Sequence, residues 1–388
     1  MKVVLAHRVL PHWRTPVFRR LAAWPGIDFL ALHGSDFPGT KTVNGRDLSG
    51  FAHRELWTLR LVSRITDERE IAFPLWPTFP WHLWRERPDV LFSMGSIAYP
   101  TRVPQAVLYH WPYAIYPEPE IWSRMTGMDR ANRGIRRWLF GRRAHYATRF
   151  AAQTETARGR LERLWGLTNV SIVPNAVSLP TPREDAASGP AVRRAREAVP
   201  EGHRALLCLS RYYPHKNLDA VTRVCRLIRD RGLPFVVLTT VSASDDRSAG
   251  DWIDQVRSEG LEDVLVNLGT VPMQDVPGLY DLASGLLLPT LMESFSGTYV
   301  ESMYYGKPVF TSDRDFARDV CDDVAYYFDP HDPEAILGTV EAAFADPEEL
   351  ARRVAAGQAR CEQFAKWPEV TRRYVELFER VAAEARAS

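Results

Sequence analysis

Short apolar runs alternate with amphipathic helical patterns along almost the whole chain, and this alternation constrains the fold most. The runs VVLAH at residues 3–7 and RALLCLS at residues 204–210 have the length of buried strands. Each is followed by a segment whose apolar residues recur every three or four positions, as in a helix. Strands that alternate with helices form parallel sheets. The sequence therefore predicts an α/β fold of doubly wound, Rossmann-like parallel sheets.

The predicted strands fall into two series. The first series begins at Val3, Ile27, Val90, Ala106, Arg149 and Asn169, and the second at Arg204, Phe235, Val264, Gly285 and Pro308. Residues 181–190, TPREDAASGP, lie between the series and have the composition of a linker. We predict two domains, 1–180 and 191–367, with a final helix over 368–388 that packs back on the first. Open parallel sheets bind ligands beyond the carboxyl ends of their strands, so we expect the site in the cleft between the domains.

Composition excludes several kinds of partner. Forty-nine Lys and Arg against 48 Asp and Glu leave a net charge of +1, so the overall charge does not predict nucleic-acid binding. The N-terminal apolar run is too short for a signal peptide, and no stretch approaches the roughly 20 apolar residues of a membrane span. The cysteines are widely spaced, which predicts neither disulfides nor a zinc site. These observations favour a cytoplasmic protein.

Two carboxylates follow the predicted strand GLLLP. Glu293 precedes a helix expected to begin near Ser296 or Gly297, and Glu301 lies one turn inside it. The positive end of a helix presents unpaired backbone NH groups, and small residues let a ligand approach them. Ionised carboxylates accept the hydrogen bonds that sugar hydroxyls donate. The pattern fits a site for an anion or a sugar, and a helix cap beside a solvated glutamate is the alternative.

Two cations follow the predicted strand RALLCLS. Arg211 and Lys216 are five residues apart in a loop that leads into a helix. A guanidinium offers a planar pair of donors and an ammonium offers a compact charge, so together they suit a diphosphate. Solvated side chains in a strand-to-helix loop are the alternative.

Together these segments resemble a known family. SRYYPHKN, ESFSGTYVESMYYGKPV and, earlier, VPNAV at residues 173–177 are similar in order and spacing to motifs of the family 4 retaining nucleotide-sugar glycosyltransferases. GTVPMQDVPGLYDLAS resembles the base-binding loop of that family and the helix that follows. The resemblance covers essentially all of the second predicted domain. It implies the GT-B fold, a nucleotide diphosphate sugar as donor, and retention of anomeric configuration.

The resemblance also implies roles for site residues. Arg211 and Lys216 would bind the donor diphosphate, where preorganised cations stabilise the charge of the leaving group. Glu293 would hold hydroxyls of the donor sugar, and Glu301 would hold the ribose. The remaining donor contacts that it implies are Ser294, Phe295, Ser296, Gly297 and Thr298, with Gly269 and Val271 near the base.

The resemblance implies that neither a metal nor another cofactor is required. Asp313 and Asp315 form an Asp-x-Asp sequence, which is the metal motif of the other glycosyltransferase fold. We interpret them here as surface loop acids. A loss of activity on adding EDTA would instead favour a metal.

The first predicted domain resembles the family less closely. Family members often carry a Gly-Gly loop after the first strand, whereas this chain has HRVLPHWRTPVF from His7. His12 and Arg14 are therefore candidates for the donor or acceptor contacts of that loop. His110 lies where the family often places a histidine beside the reacting carbon, and we take it as a catalytic candidate. A buried structural histidine is the alternative.

Acceptor recognition is assigned to the first domain, because ten of the twelve tryptophans lie at or before Trp165. Residues 73–84, FPLWPTFPWHLW, are too rich in proline for a helix. We interpret them as a loop that stacks on a sugar, lies at a lipid surface, or packs on the core.

Residues 124–149 contain eight arginines and one acidic residue, Asp129. A helical wheel places Ile135, Trp138, Leu139 and Tyr146 on one face and Arg130, Arg133 and Arg137 on the opposite face. The apolar face is expected to pack on the sheet. The basic face is then either solvated or a contact for anionic lipid, which would place the protein peripherally at the inner membrane face.

The sequence as a whole predicts a metal-independent retaining glycosyltransferase. Its acceptor would be a hydroxyl of a glycan, a lipid-linked sugar or a small molecule, as in bacterial polysaccharide or glycoconjugate synthesis. Two other classes stay open: an isomerase similar to nucleotide-sugar 2-epimerases on the same fold, and a non-catalytic sugar-binding protein. An epimerase acts on the nucleotide sugar without an acceptor. A protein that binds free sugar does not require two cations that bind phosphate.

Overall fold

The computed structural model describes residues 1–36, 44–58, 76–179, 189–245 and 247–387. The chain forms two compact units, of which the first comprises Met1–Ala176 and Ala365–Ser388 and the second Val177–Phe364. Each unit consists of a parallel β-sheet covered by helices on both faces.

The sheet of the first unit has the strand order β3-β2-β1-β4-β5-β6-β7 and is parallel throughout. Its strands are β1 (Lys2–His7), β2 (Asp28–His33), β3 (Ala52–Glu55), β4 (Val90–Ser93), β5 (Gln105–Leu108), β6 (Arg149–Ala152) and β7 (Val170–Ile172). The chain runs outward from β1 to β3 and then returns to place β4 on the other side of β1. The topological switch point of this sheet therefore lies between β1 and β4.

Alternate residues of β1 lie in separate cores, as the period of two in a strand requires. Val3 and Leu5 face a core to which the C-terminal helix contributes, and Val4 and Ala6 face the other. The helices of this unit are α1 (Thr15–Ala22), α2 (Phe79–Glu86), α3 (Pro119–Trp122), α4 (Gly127–Arg143), α5 (Glu155–Trp165) and α14 (Trp367–Ala387). On the α14 side, the ring of Phe92 lies 5.0 and 4.9 Å from those of Tyr374 and Phe378.

The sheet of the second unit has the order β10-β9-β8-β11-β12-β13 and is also parallel. Its strands are β8 (Arg204–Cys208), β9 (Phe235–Thr239), β10 (Leu265–Asn267), β11 (Gly285–Leu288), β12 (Val309–Ser312) and β13 (Tyr326–Phe328). Its helices are α6 (Pro190–Ala198), α7 (Leu218–Arg231), α8 (Arg247–Ser258), α9 (Val276–Leu282), α10 (Gly297–Tyr304), α11 (Asp315–Cys321), α12 (Pro333–Ala345) and α13 (Pro347–Cys361). Here the switch point lies between β8 and β11.

The proline-rich segment does form a helix, so the prediction of a loop was wrong for its second half. Helix α2 begins at Phe79 and places Pro80 in its first turn. A proline costs little there, because the missing N–H would have had no intrahelical acceptor. Residues 73–75 lie outside the described part of the chain. Residues 181–188 of the predicted linker also lie outside the described part of the chain. The last residue of that linker, Pro190, is the first residue of α6.

The orientation predicted for the arginine-rich helix was also wrong. In α4 the side chains of Ile135 and Trp138 are 53% and 61% exposed, whereas Asp129, Arg133 and Phe140 are buried. Phe140 is the anchor, because its ring packs against those of Tyr109, Phe150 and Trp165 at 5.0–5.8 Å. Arg133 can be buried because its guanidinium stacks on the ring of Tyr113 at 4.5 Å.

No helix among the described residues combines the length and the hydropathy needed to cross a membrane. The four cysteines are free thiols, and three of them are buried.

Candidate functional site

The loops that follow β8 and β11 meet at the switch point of the second sheet. The two strands are neighbours, with Gly285 paired to Leu206. A 3-10 turn, Pro214–Lys216, follows β8. The backbone N–H of Leu291, after β11, donates to the carbonyl of His215 at 2.8 Å, and the hydroxyl of Thr290 donates to the same carbonyl at 3.2 Å. The two loops therefore form one hydrogen-bonded surface.

Lys216 and Glu293 form an ion pair on this surface. The ammonium of Lys216 donates to Oε1 of Glu293, and the two side chains are only 15% and 12% exposed. The hydroxyl oxygen of Thr290 lies 3.3 Å from the same carboxylate oxygen. The structure thus brings together two predicted site residues that lie 77 positions apart in the sequence. Arg211 is exposed in the same loop as Lys216.

Asn217 holds the turn that carries Lys216, and sequence reasoning did not assign it a role. Its backbone is left-handed, with φ 57° and ψ 41°, a conformation that favours Gly or Asn. Its buried amide donates to the carbonyls of Pro289 and Pro330 at 3.1 and 2.8 Å. The available signal was an asparagine directly after the lysine and before the first residue of α7.

Helix α10 begins at Gly297, as predicted, and Glu293 lies in the loop before it. Its N-cap is Ser296, whose hydroxyl is hydrogen-bonded to that of Thr298 at 2.8 Å rather than to a backbone amide of the first turn. The first backbone N–H groups of a helix lack intrahelical acceptors and carry its positive partial charge. Ser294 and Ser296 are buried, and Phe295 packs edge-to-face on Phe364 at 6.4 Å.

Gly297 links this helix to the VPNAV segment. A Cβ atom built on Gly297 would lie 3.7 Å from Cγ2 of Val177. The last residue of that motif therefore lies beside the first residue of α10.

Glu301 lies half-buried one turn into α10, and one of its carboxylate oxygens is 3.3 Å from the phenol oxygen of Tyr280. Burial raises the pKa of Glu301, and the hydrogen bond from Tyr280 opposes that rise. The carbonyl oxygen of Thr298, 3.2 Å from the same phenol, shares that single hydroxyl hydrogen, and the Tyr280 ring stacks on Tyr305 at 4.9 Å. Tyr280 was not predicted as a site residue, although it lies in the GLYDLAS motif that resembles the family.

The two residues predicted to lie near the base, Gly269 and Val271, are in the loop between β10 and α9. Gly269 has φ +72°, a conformation that L side chains rarely adopt, and its N–H donates to Oδ1 of Asn267 at 3.3 Å. Both residues are half-buried. The loop leads directly into the helix that carries Tyr280.

The Asp-x-Asp acids have structural partners. Both oxygens of Asp313 accept from Arg318, at 2.6 and 2.8 Å, and this bidentate pair lowers the pKa of Asp313. Asp315 accepts from the N–H of Phe316 at 2.8 Å, at the start of α11. Among the described ranges, no group of three or more His, Cys, Asp or Glu side chains is placed to hold a metal ion.

The candidates of the first unit lie beyond the carboxyl ends of β1, β4 and β5. The N–H of His110 donates to the hydroxyl of Ser96 at 3.0 Å, and the His110 ring lies 6.1 Å from that of His7. Burial lowers the pKa of His110 well below its usual value, and the charge of Arg14 lowers it further. Burial likewise lowers the pKa of His7 to about 3. Both rings are therefore neutral at physiological pH.

Arg14 and His12 share one 3-10 turn but face different surroundings. Arg14 is buried and hydrogen-bonded to the phenol of Tyr374, and burial lowers its pKa. His12 is exposed, with its ring edge-to-face on Trp13 at 5.1 Å. A neutral phenol does not cancel the positive charge of the buried Arg14 guanidinium. Arg14 is therefore the better of the two candidates for binding an anion.

Comparison with known proteins agrees with this geometry. Residues 192–360 match the profile of the family described as "Glycosyl transferases group 1". The chain is 29% identical over 261 residues to a D-inositol 3-phosphate glycosyltransferase from Kineococcus radiotolerans, a match that covers 62% of this chain and 59% of the relative. The chain spans 43–59% of the lengths of the curated relatives that it matches. The central part of the second unit is therefore similar to group 1 glycosyltransferase domains.

The fold is similar to that of solved glycosyltransferases over nearly the full length. Sucrose-phosphate synthase from Thermosynechococcus elongatus gives a TM-score of 0.74 at 14% identity, covering 99% of this chain and 100% of that one. HepE from Anabaena, solved in complex with UDP-glucose, gives 0.70 at 14% identity, covering 98% and 99%. The predicted GT-B fold, with two parallel sheets flanked by helices, is confirmed.

Proposed function

We propose that this chain is a retaining glycosyltransferase that moves a sugar from a nucleotide diphosphate sugar to an acceptor hydroxyl without a metal. The observation that carries the proposal is the ion pair between Lys216 and Glu293 beside the N-terminus of α10. It places a cation, a hydrogen-bond acceptor and a set of backbone donors at one switch point. A nucleotide diphosphate sugar needs these three kinds of group.

Each group has a separate task in binding the donor. Lys216 and Arg211 contact the diphosphate, together with the backbone N–H groups of Gly297 and Thr298. Glu293 accepts hydrogen bonds from hydroxyls of the sugar, and Glu301 accepts them from the ribose. When no donor is bound, Lys216 and Glu293 neutralise each other. The pair thereby avoids an isolated charge at a nearly buried position.

The cations act on the bond-breaking step. As the bond between the anomeric carbon and the diphosphate oxygen breaks, its electron pair remains on the diphosphate, and the sugar develops positive charge. Lys216, Arg211 and the α10 N-terminus stabilise this growing negative charge without having to reorganise. The acceptor oxygen bonds to the anomeric carbon on the face that the diphosphate leaves, and its proton passes to the departing diphosphate. The anomeric configuration is thereby retained.

The first unit is proposed to bind the acceptor. His110 and His7 are neutral there, so each ring can accept or donate a hydrogen bond to a hydroxyl. Arg14 supplies a positive charge in the same region. A carbohydrate, free or lipid-linked, is the class of acceptor that these groups suit.

A donor screen tests the proposal. The melting temperature of the protein is measured in the presence of UDP, GDP and dTDP and of their common sugar conjugates, because a ligand that binds the native state raises the melting temperature. The donor so identified is then incubated with candidate acceptors, and the anomeric configuration of the product is read by NMR. Inversion, a requirement for metal after EDTA treatment, or conversion of donor alone to its 2-epimer would each contradict the proposal.

A further inference from the structure

One surface of the first unit exposes tryptophans among arginines. Helices α2 and α4 lie on the same face of the sheet, since Leu83 of α2 packs with Leu91 of β4 and Phe140 of α4 packs on Phe150 of β6. Strand register places Leu91 and Phe150 on that face, opposite the side covered by α14. We call the outer surface of these two helices the α2–α4 face.

The α2–α4 face exposes large apolar side chains, which have no role on a surface that contacts only water. On α4, Ile135 and Trp138 are exposed, as reported above. On α2, Trp81 and Trp84 are 50% and 69% exposed. Exposed aromatic groups on two helices that cover the same face of a sheet indicate an interaction surface. Tryptophan in particular suits a boundary between water and lipid, because its ring is apolar and its N–H is polar.

Arginines surround these tryptophans. Arg142 stacks on Trp138 at 6.0 Å and Arg85 stacks on Trp81 at 5.4 Å, and both arginines are exposed. Stacking keeps each guanidinium beside an exposed aromatic ring, where it can contact a phosphate while the ring enters an apolar phase.

The acidic residues nearby do not neutralise this charge. Asp129, the one acid of α4, is buried and accepts a hydrogen bond from Thr126 at 3.0 Å. Glu118 and Glu155 pair with Arg160 and Arg158 of α5, at 2.7 and 2.6 Å. The α2–α4 face therefore keeps a strong positive charge on a chain whose net charge is only +1.

A groove beside α4 extends the surface. It has a volume of about 520 Å³ and is lined by Trp122, Trp138 and Trp165, with Arg137 and Arg142 at its edge. Gly134 and Gly141, two turns apart on α4, also line it, and a Cβ atom built on Gly141 would lie 2.6 Å from the ring of Trp165. An apolar groove edged by guanidinium groups can accept part of an acyl chain while its rim contacts the phosphate of the same lipid.

We propose that the α2–α4 face docks on an anionic phospholipid bilayer. Charge complementarity selects the occupant: arginines meet lipid phosphates and acidic headgroups, while Trp138, Ile135, Trp81 and Trp84 insert at the level of the glycerol backbone. The inference does not depend on the proposed catalytic activity, because docking requires neither donor nor acceptor.

Vesicle co-sedimentation tests this inference. We expect the full chain to bind vesicles of phosphatidylcholine mixed with phosphatidylglycerol, to bind pure phosphatidylcholine vesicles far less, and to dissociate at high salt. Replacing Arg85 and Arg142 by Gln should weaken binding roughly 25-fold, from about fivefold for each arginine near the surface. The pair Ile135→Ser and Trp138→Ser should weaken it about tenfold or more.

Two matched controls separate docking from nonspecific effects. Trp57 is 63% exposed in the loop after β3, and Arg257 is exposed in the second unit. Trp57→Ser and Arg257→Gln should leave vesicle binding within about twofold of wild type. All variants should keep the wild-type circular dichroism spectrum, since the changed side chains are exposed.

Three results would overturn the inference. One is wild-type chain that stays in the supernatant with anionic vesicles at low salt. Another is an equal loss of binding in the control variants and the α2–α4 variants. The third is vesicle binding that is absent while heparin or duplex DNA is bound, which would assign the face to a soluble polyanion.

Discussion

Lys216 and Glu293 form an ion pair at the switch point of the second sheet, although one follows β8 and the other follows β11. Removing either partner leaves the other charge nearly buried and without its counterion. The pair thus couples stability to catalysis, and the two effects separate in a double-mutant cycle.

If the proposed function holds, Lys216→Met and Glu293→Gln should each reduce kcat by about 10²–10³-fold, because each removes a group that is proposed to contact the transition state. Each should also lower the free energy of unfolding by about 1–3 kcal/mol. The double variant should be more stable than either single variant, since no unpaired charge remains. Urea denaturation and steady-state kinetics on the four proteins measure both effects.

The matched control for this cycle is a surface ion pair of the same unit. Arg226 binds Glu259 through two hydrogen bonds of 2.6 Å. Arg226→Gln should leave kcat unchanged and alter stability by less than about 1 kcal/mol. Strictly additive stability losses in the Lys216 and Glu293 cycle would show that the two side chains do not interact in solution.

Tyr280→Phe should make nucleotide binding more sensitive to acid. In the proposed function an ionised Glu301 accepts hydrogen bonds from the ribose. Burial already raises the pKa of Glu301, while the Tyr280 hydrogen bond lowers it. Without that hydrogen bond the pKa of Glu301 rises further. As the pH is lowered, Tyr280→Phe should therefore lose affinity for the nucleotide at a higher pH than wild type does. Isothermal titration of the nucleoside diphosphate that binds wild type, from pH 8 to pH 5, measures the midpoint.

A deoxyribose nucleotide supplies the control for Tyr280. If Tyr280 acts through Glu301 and the ribose, Tyr280→Phe should weaken binding of the ribonucleotide and hardly affect its 2′,3′-dideoxy analogue. We expect KM for the donor to rise more than kcat falls. Equal losses with both nucleotides would assign Tyr280 a purely structural role.

His7 should make the first unit less stable in mild acid. Its pKa is about 3 in the folded protein, against 6.5 for an unperturbed histidine. The unfolded chain therefore binds a proton that the native state excludes, and stability is lost as the pH falls from about 6.5 towards 3. The loss approaches ~1.4 kcal/mol per pH unit for one histidine. Urea denaturation at several pH values measures this slope.

His7→Gln supplies the comparison, because glutamine keeps a polar side chain that does not titrate. As the pH is lowered, the unfolding free energy of His7→Gln should decrease less steeply than that of wild type. The difference between the two slopes corresponds to at most one bound proton. His110, whose pKa burial also lowers, should account for part of the remaining slope. Identical slopes in wild type and His7→Gln would mean that the His7 ring is protonated in the native state.

Arg14→Met should separate stability from function in the first unit. The Arg14 guanidinium is buried and its charge faces the Tyr374 phenol, so replacing it by an apolar side chain should stabilise the fold by about 1 kcal/mol. Transfer activity should fall at least about tenfold if Arg14 contacts an anionic group of a substrate. Arg20→Met, on the exposed side of α1, should change neither quantity. A destabilised Arg14→Met with normal activity would show that the residue is structural.

Most strands and the positions of the site loops were predictable, because buried parallel strands are continuous apolar runs. Strand β3 was missed because its sequence, AHRE, is an edge strand with mostly exposed polar side chains. Strand β13 was missed because two of its three residues, YYF, are half-buried tyrosines, whose hydroxyls weaken the apolar pattern. The edge strands β7 and β10 are equally short but lie within longer runs rich in aliphatic residues, so they were predicted.

The face of α4 was mispredicted for a different reason. A helical wheel assigns the apolar residues to the core, but arginines that stack on Tyr113, Trp111 and Trp165 can be covered as readily as leucines. Sequence alone does not show which aromatic rings lie opposite these arginines. The same limit applies in the site, where Glu301 was predicted but its partner Tyr280 comes from another helix.

The position of α14 has a consequence for synthesis. This helix covers Phe92 with Tyr374 and Phe378, yet the ribosome makes it only after the entire second unit. At ~5–20 residues per second, the nascent chain carries the uncovered strands of its first sheet for roughly 10–40 s. Through that interval an apolar surface is available to chaperones, and it is covered only after α14 has been made.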